Sequence, residues 1–135
     1  MPRFMGFVRM EEGVGTPPQA LFDAMDAYIG ERAANGVFLD GGGLYGTEDA
    51  VNFVVRQGEV SRVDGPYAEA KEVVGGYWLI QAASKEEAVE WAKRAPMSGP
   101  GMKTEIRRVA SIDEFPQDNE WIQKERAWRE ATGQL

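Results

Sequence analysis

The chain has neither cysteine nor histidine among its 135 residues. The first absence removes disulfides, zinc–thiolate sites and thiol nucleophiles together, and it fits a reducing compartment. The second is more restrictive. Histidine is the usual general base near neutral pH and the commonest metal ligand, so any proton transfer here must use Asp, Glu, Lys, Tyr or the backbone. Cations are also in short supply: 15 Lys and Arg stand against 22 Asp and Glu, for a formal charge of −7. Nucleic acid and anionic membrane surfaces are held by clustered Lys and Arg, so neither is expected as a partner. No apolar run approaches the ~20 residues of a membrane span. Arg3 and Arg9 interrupt the N-terminal "MPRFMGFVRMEEG", which leaves no signal-peptide core. The expectation is a cytoplasmic protein without cofactor or metal.

What is present fits a single domain over 1–135. The residues are 43% hydrophobic and 27% charged, close to globular averages, and a chain of this length buries about two-thirds of its unfolded surface without needing a staple. "RFMGFVRM" (3–10) reads as a strand. In "GVGTPPQALFDAMDAYIGERAANG", Thr16 is a candidate cap, Pro17 or Pro18 suits the first turn, and Gly36 is a stop. Leu21, Phe22, Met25, Tyr28 and Ile29 form the apolar face between them. "VFLDGGGLYG" is a short strand running into glycines, which mark a bulge or a close backbone approach rather than a phosphate loop. Val51, Phe53 and Val55 alternate towards a hairpin turn near Gly58. "GGYWLIQAA" is the most apolar strand and belongs at the centre of a sheet.

"SKEEAVEWAKRAP" is a helix with a capping box at Ser84 and Glu87, a small-residue face of Ala88, Ala92 and Ala95, and Pro96 as its end. "KTEIRRVAS" is a last strand. "DNEWIQKERAWREATG" is a C-terminal helix with Trp121, Ile122 and Trp128 on one side. The order is β-α-β-(hairpin)-β-α-β plus a helix, an α+β pattern of the ferredoxin-like kind. Two helices cover only one face of such a sheet. Its central strands are apolar at both parities, which predicts a homodimer packed sheet to sheet.

Residues 64–96, "DGPYAEAKEVVGGYWLIQAASKEEAVEWAKRAP", resemble the DGPF-motif branch of the YCII-related proteins. "GVFLDGGGL" and "KTEIRRVASIDEFP" are similar to further family segments, and the likeness runs from residue 3 to about 128. The resemblance implies a dimeric α/β barrel, with about 112–135 as a C-terminal helical extension. Some relatives are thought to use an Asp–His pair, and at least one eliminates chloride from a hydroxylated aromatic. The histidine does not exist here, and the family's glutamate in "GEGL" falls on Gly42.

The candidate site is therefore reduced to the motif itself. Asp64 is the tentative acid or base, Lys71 a tentative cationic partner for an oxyanion, and Tyr45, Tyr67 and Glu69 are candidate ligand contacts. Set against this, Asp-Gly-Pro is also an ordinary turn, in which Asp binds nearby backbone, Gly permits positive φ and Pro fixes φ. The expected function is a small-molecule-binding or regulatory homodimeric module. The alternative is a cofactor-independent enzyme, lyase- or isomerase-like, acting on a small, possibly phenolic substrate through Asp64.

Overall fold

Residues 1–11, 18–67, 72–96 and 101–134 are described in the computed structural model. In chain order the elements are β1 (Arg3–Met10), α1 (Gln19–Ala34), β2 (Phe38–Gly43), β3 (Val51–Arg56), β4 (Glu59–Asp64), β5 (Val73–Gln81), α2 (Lys85–Lys93), β6 (Lys103–Arg108) and α3 (Glu120–Ala131), with short 3-10 turns at Thr47–Asp49 and Ile112–Glu114. β1 and β5 pair at the centre of an antiparallel sheet ordered β2-β5-β1-β6. The β3–β4 hairpin forms a separate two-stranded sheet. The architecture is mixed α+β, with antiparallel sheets and three helices, and the order of the main sheet is compatible with a ferredoxin-like fold.

Alternation sorts the side chains of the main sheet. Phe4 stands opposite Ile80, and Gly6 opposite Trp78. These residues face the helices. Phe4, Val37, Ile80, Ala82 and Ala88 form the buried core, with Phe38, Trp78, Trp91 and Ile106 packed on it. Gly6 is a packing requirement, because the Trp78 indole occupies the space that a Cβ there would need. Complete burial of a side chain such as Phe4 contributes roughly 1.5–3 kcal/mol. The opposite parity, Met5 against Leu79 and Phe7 against Tyr77, forms the other face of the sheet.

Several local readings of the sequence hold. Gly36 has φ +71° and closes α1, with its N–H on the Ala33 carbonyl. Ser84 Oγ caps α2 by accepting from the Glu87 N–H, and the Glu87 carboxylate turns back to the Ala83 N–H. A register shift separates Phe38 from Asp40, and a Cβ on Gly41 would stand 2.7 Å from the Phe38 ring. The "DGGG" run thus joins a bulge to a close approach.

Others are corrected. Pro18 is the N-cap of α1 and lies outside its first turn. Thr16 and Pro17 lie outside the described residues. Phe22 is exposed, and the covered stripe of α1 instead continues from Tyr28 and Ile29 to Arg32, which is buried. β6 stops at Arg108, because Ser111 starts a capping box with Glu114 that turns the chain into the Ile112–Glu114 3-10 turn. On α3, Ile122 is buried while Trp121 and Trp128 point outward. Seven residues apart, the two indoles share a face, and Ile122 stands about 100° round the helix from Trp121.

Candidate functional site

Asp64 is the last residue of β4. The hairpin that carries it turns through Gln57 and Gly58, at φ 51° and 81°, the paired positive values of a two-residue turn whose twist matches the strands. Register puts Asp64 opposite Val51 and Arg62 opposite Phe53, so Asp64 and Arg62 share one face. Asp64 Oδ1 accepts a hydrogen bond from Arg62 Nε at 2.9 Å, and both side chains are 65% exposed. Base catalysis near neutral pH asks a carboxylate for burial or a like-charged neighbour. The surroundings of Asp64 are solvent and a guanidinium.

The next residues lock the turn. The Gly65–Pro66 peptide bond is cis. The Gly65 N–H donates to the Ala50 carbonyl at 2.8 Å, and the Tyr67 N–H donates to Thr47 Oγ1 at 3.2 Å. A Cβ on Gly65 would overlap the Thr47 carbonyl and stand 3.3 Å from the Ala50 oxygen. The motif glycine is therefore demanded by a close approach of two backbones. The Tyr67 hydroxyl is buried, with no hydrogen-bond partner among the described residues. Tyr45 is 90% exposed, away from any enclosure. Glu69 and Lys71 lie outside the described residues. The structure thus brings Asp64 and Tyr67 onto one braced turn and leaves Tyr45 in solvent. Beyond it, Glu72 pairs with Lys103 at 2.8 Å, a bond that lowers the Glu72 carboxyl below its ordinary range.

Two groupings escaped the sequence reading. The first joins α1 to α2. The Arg32 guanidinium lies 4.3 Å from the Tyr28 ring centroid and 3.9 Å from that of Trp91. The Tyr28 hydroxyl donates to the Trp91 carbonyl. Burial raises the Tyr28 phenol above its ordinary value, with Arg32 acting in the opposite direction. Arg32 Nη1 stands 2.9 Å from Glu31 Oε2 but is poorly aligned for a hydrogen bond. Residue 32 lies three past Ile29 and so falls on the same helix face, but an arginine there is passed over by a hydrophobic pattern.

The second grouping is a cavity of about 480 Å³ at the end of the sheet where β1 begins and β6 finishes. Pro2, Arg3, Arg108, Val109, the Ile112–Glu114 turn, Arg126 and Arg129 line it. Glu114 accepts from both terminal nitrogens of Arg108, at 2.8 and 2.6 Å, and from the Ser111 N–H at 2.7 Å. These bonds, the arginine's foremost, lower the Glu114 carboxyl to about 2. The capping box over Ser111 and Glu114 was readable as Ser-x-x-Glu. Among the described residues no group of three carboxylates converges to hold a metal, and no helix is long and apolar enough to cross a membrane.

With this geometry in place, known proteins can be set beside it. The model of the YCII-related domain matches residues 3–113. The chain belongs to the YCII-related family. The match takes in every strand of both sheets and the first two helices, and it ends within the Ile112–Glu114 turn, so α3 lies beyond it. A YCII-related chain such as this one is also similar to a protein of Rhizobium meliloti (strain 1021), named only as uncharacterized. The two are 39% identical over 54 residues, 39% of this chain and 44% of that one. The alignment thus spans less than half of the relative's length.

Proposed function

We propose that the protein is a homodimeric small-molecule-binding module of the DGPF branch, in which two copies pack sheet to sheet as a dimeric α/β barrel. One observation carries this reading. The face of the main sheet opposite the helices presents Met5, Phe7, Tyr77 and Leu79. An apolar sheet face gains from a second layer, and a second copy supplies one by twofold symmetry, meeting like with like. Arg9–Glu105 at 3.2 Å and Lys103–Glu72 at 2.8 Å edge this face with paired charges, as suits the rim of an interface.

The ligand space belongs on the same face. Gly42 stands opposite Tyr77, and a Cβ there would lie 3.4 Å from the Tyr77 ring. This is the position of the glutamate in the family pattern. With glycine instead, the Tyr77 phenol is the polar group offered to a ligand among apolar neighbours, an arrangement typical of small-molecule sites. Binding is favoured over turnover because Asp64 is exposed and paired with Arg62. The enzymatic alternative requires a partner copy to enclose that carboxylate.

Light scattering on the eluting protein tests the assembly. The parent should run at twice its 14.9 kDa chain mass. Phe7→Glu should run as a folded monomer, because a charge placed in an apolar interface is costly unless paired. A monomeric parent, or a dimeric Phe7→Glu, overturns the reading.

A further inference from the structure

The cavity at the end of the sheet has a charge opposite to that of the molecule. Four arginines, Arg3, Arg108, Arg126 and Arg129, line it against two acidic residues, Asp113 and Glu114, in a chain of formal charge −7. Three of the four arginines are held. Arg108 is forked onto Glu114, Arg126 donates to Asp113 and Gln117, and Arg129 donates to Glu125. These pairs fix the wall in place and largely neutralise it. The Arg3 side chain makes no hydrogen bond or ion pair with the described residues, although it is partly buried at the first position of β1. A guanidinium without a partner among the described residues, beside a cavity walled by paired arginines, is available as a binding group: planar, permanently charged and shaped to grip an oxyanion through two N–H bonds. The remaining lining is apolar, from Pro2, Val109, Ala110 and Ile112.

We propose that this cavity binds a small organic anion, whose apolar body lies against Pro2, Val109 and Ala110 and whose oxyanion head is held by Arg3. Arg3 has the strand parity of Met5 and Phe7, so the cavity lies at the end of the sheet face proposed above, but binding there does not require that face to be an interface. Its volume of about 480 Å³ lies within the ~300–1,000 Å³ of small-molecule sites. With the other three arginines paired, the charge of Arg3 gives the anion a local attraction that falls with salt.

Calorimetric titration of the full chain with phenylacetate, phenyl phosphate and the neutral phenylacetamide tests the proposal. The expected result is saturable binding of at least one anion. Affinity should fall about tenfold or more in Arg3→Gln, the scale of one charge-assisted hydrogen bond. It should recover in part in Arg3→Lys and be unchanged in Arg56→Gln on the remote hairpin. Which anion binds tighter separates a carboxylate ligand from a phosphate monoester. The proposal is overturned if neither anion binds at millimolar concentration, if phenylacetamide binds as well as phenylacetate, or if Arg3→Gln binds like the parent. Circular dichroism of Arg3→Gln, expected to match the parent, separates loss of the site from loss of the fold.

Discussion

At Gly65 the backbone passes so close to the Thr47 carbonyl that even a methyl group has no room. Because the obstacle is main chain, relief requires the turn to move and to strain the Gly65–Ala50 hydrogen bond with it. Gly65→Ala should cost about 2 kcal/mol or more, as overpacking does, and lower Tm by roughly 8 °C for a chain of this size. Gly30 is the contrasting case: it lies within α1, with nothing inside 4 Å of a Cβ, and Gly30→Ala should stabilise by about 0.5–1 kcal/mol through helix propensity alone. Thermal denaturation of the two variants should therefore move in opposite directions. Glu114 supplies a pH-dependent counterpart. Its carboxyl is lowered from 4.5 to about 2 in the folded state. The stabilisation is complete above 4.5 and is lost as pH falls from there through about 2. Glu114→Gln should flatten the fall of Tm across that acid window and leave the dependence near neutrality unchanged.

On the scale of elements, α1 shows how a helix docks through a residue that a hydrophobic pattern discounts. Its stripe ends in Arg32, 2% exposed, whose stem fills space between the helices while its cation stacks on two rings. Replacing a buried charge by an apolar side chain of similar length is often near neutral, whereas truncation leaves a void. Arg32→Met should therefore stay within about 1 kcal/mol of the parent, and Arg32→Ala should lose about 2–4 kcal/mol by denaturant titration. The same logic separates what was legible from what was not. Strands, caps and the hairpin are local, and Ser84–Glu87, Gly36 and the Val51, Phe53, Val55 alternation announced them directly. Arg32 over Trp91, and Arg108 on Glu114, depend on contacts across the fold. The outward pointing of Trp121 was lost for another reason: adjacent Trp121 and Ile122 were grouped as one apolar side, although neighbours on a helix diverge by about 100°.

For the whole molecule, folding and assembly are linked if the face carrying Met5 and Phe7 is an interface. Tm of the parent should then rise with protein concentration, by mass action, while Tm of Phe7→Glu should not. Of the candidate site, the sequence revealed the turn but not its exposure. Asp64 lies in a motif that reads equally as a site and as a brace, and only its Arg62 partner and the Gly65 contact distinguish the two. A turn's chemistry is written in its residues, whereas the environment that would tune a carboxylate comes from segments distant in the chain.

The β3–β4 hairpin has a further consequence. Among the described residues each of its strands pairs with one neighbour, which leaves the outer edge of each without a described strand beside it, and Phe53, Val55 and Val60 stand exposed on the hairpin. Edges of this kind invite other strands. Arg56, Glu59 and Arg62 sit in the same two strands, and charges so placed disfavour the recruitment of further copies into a growing sheet.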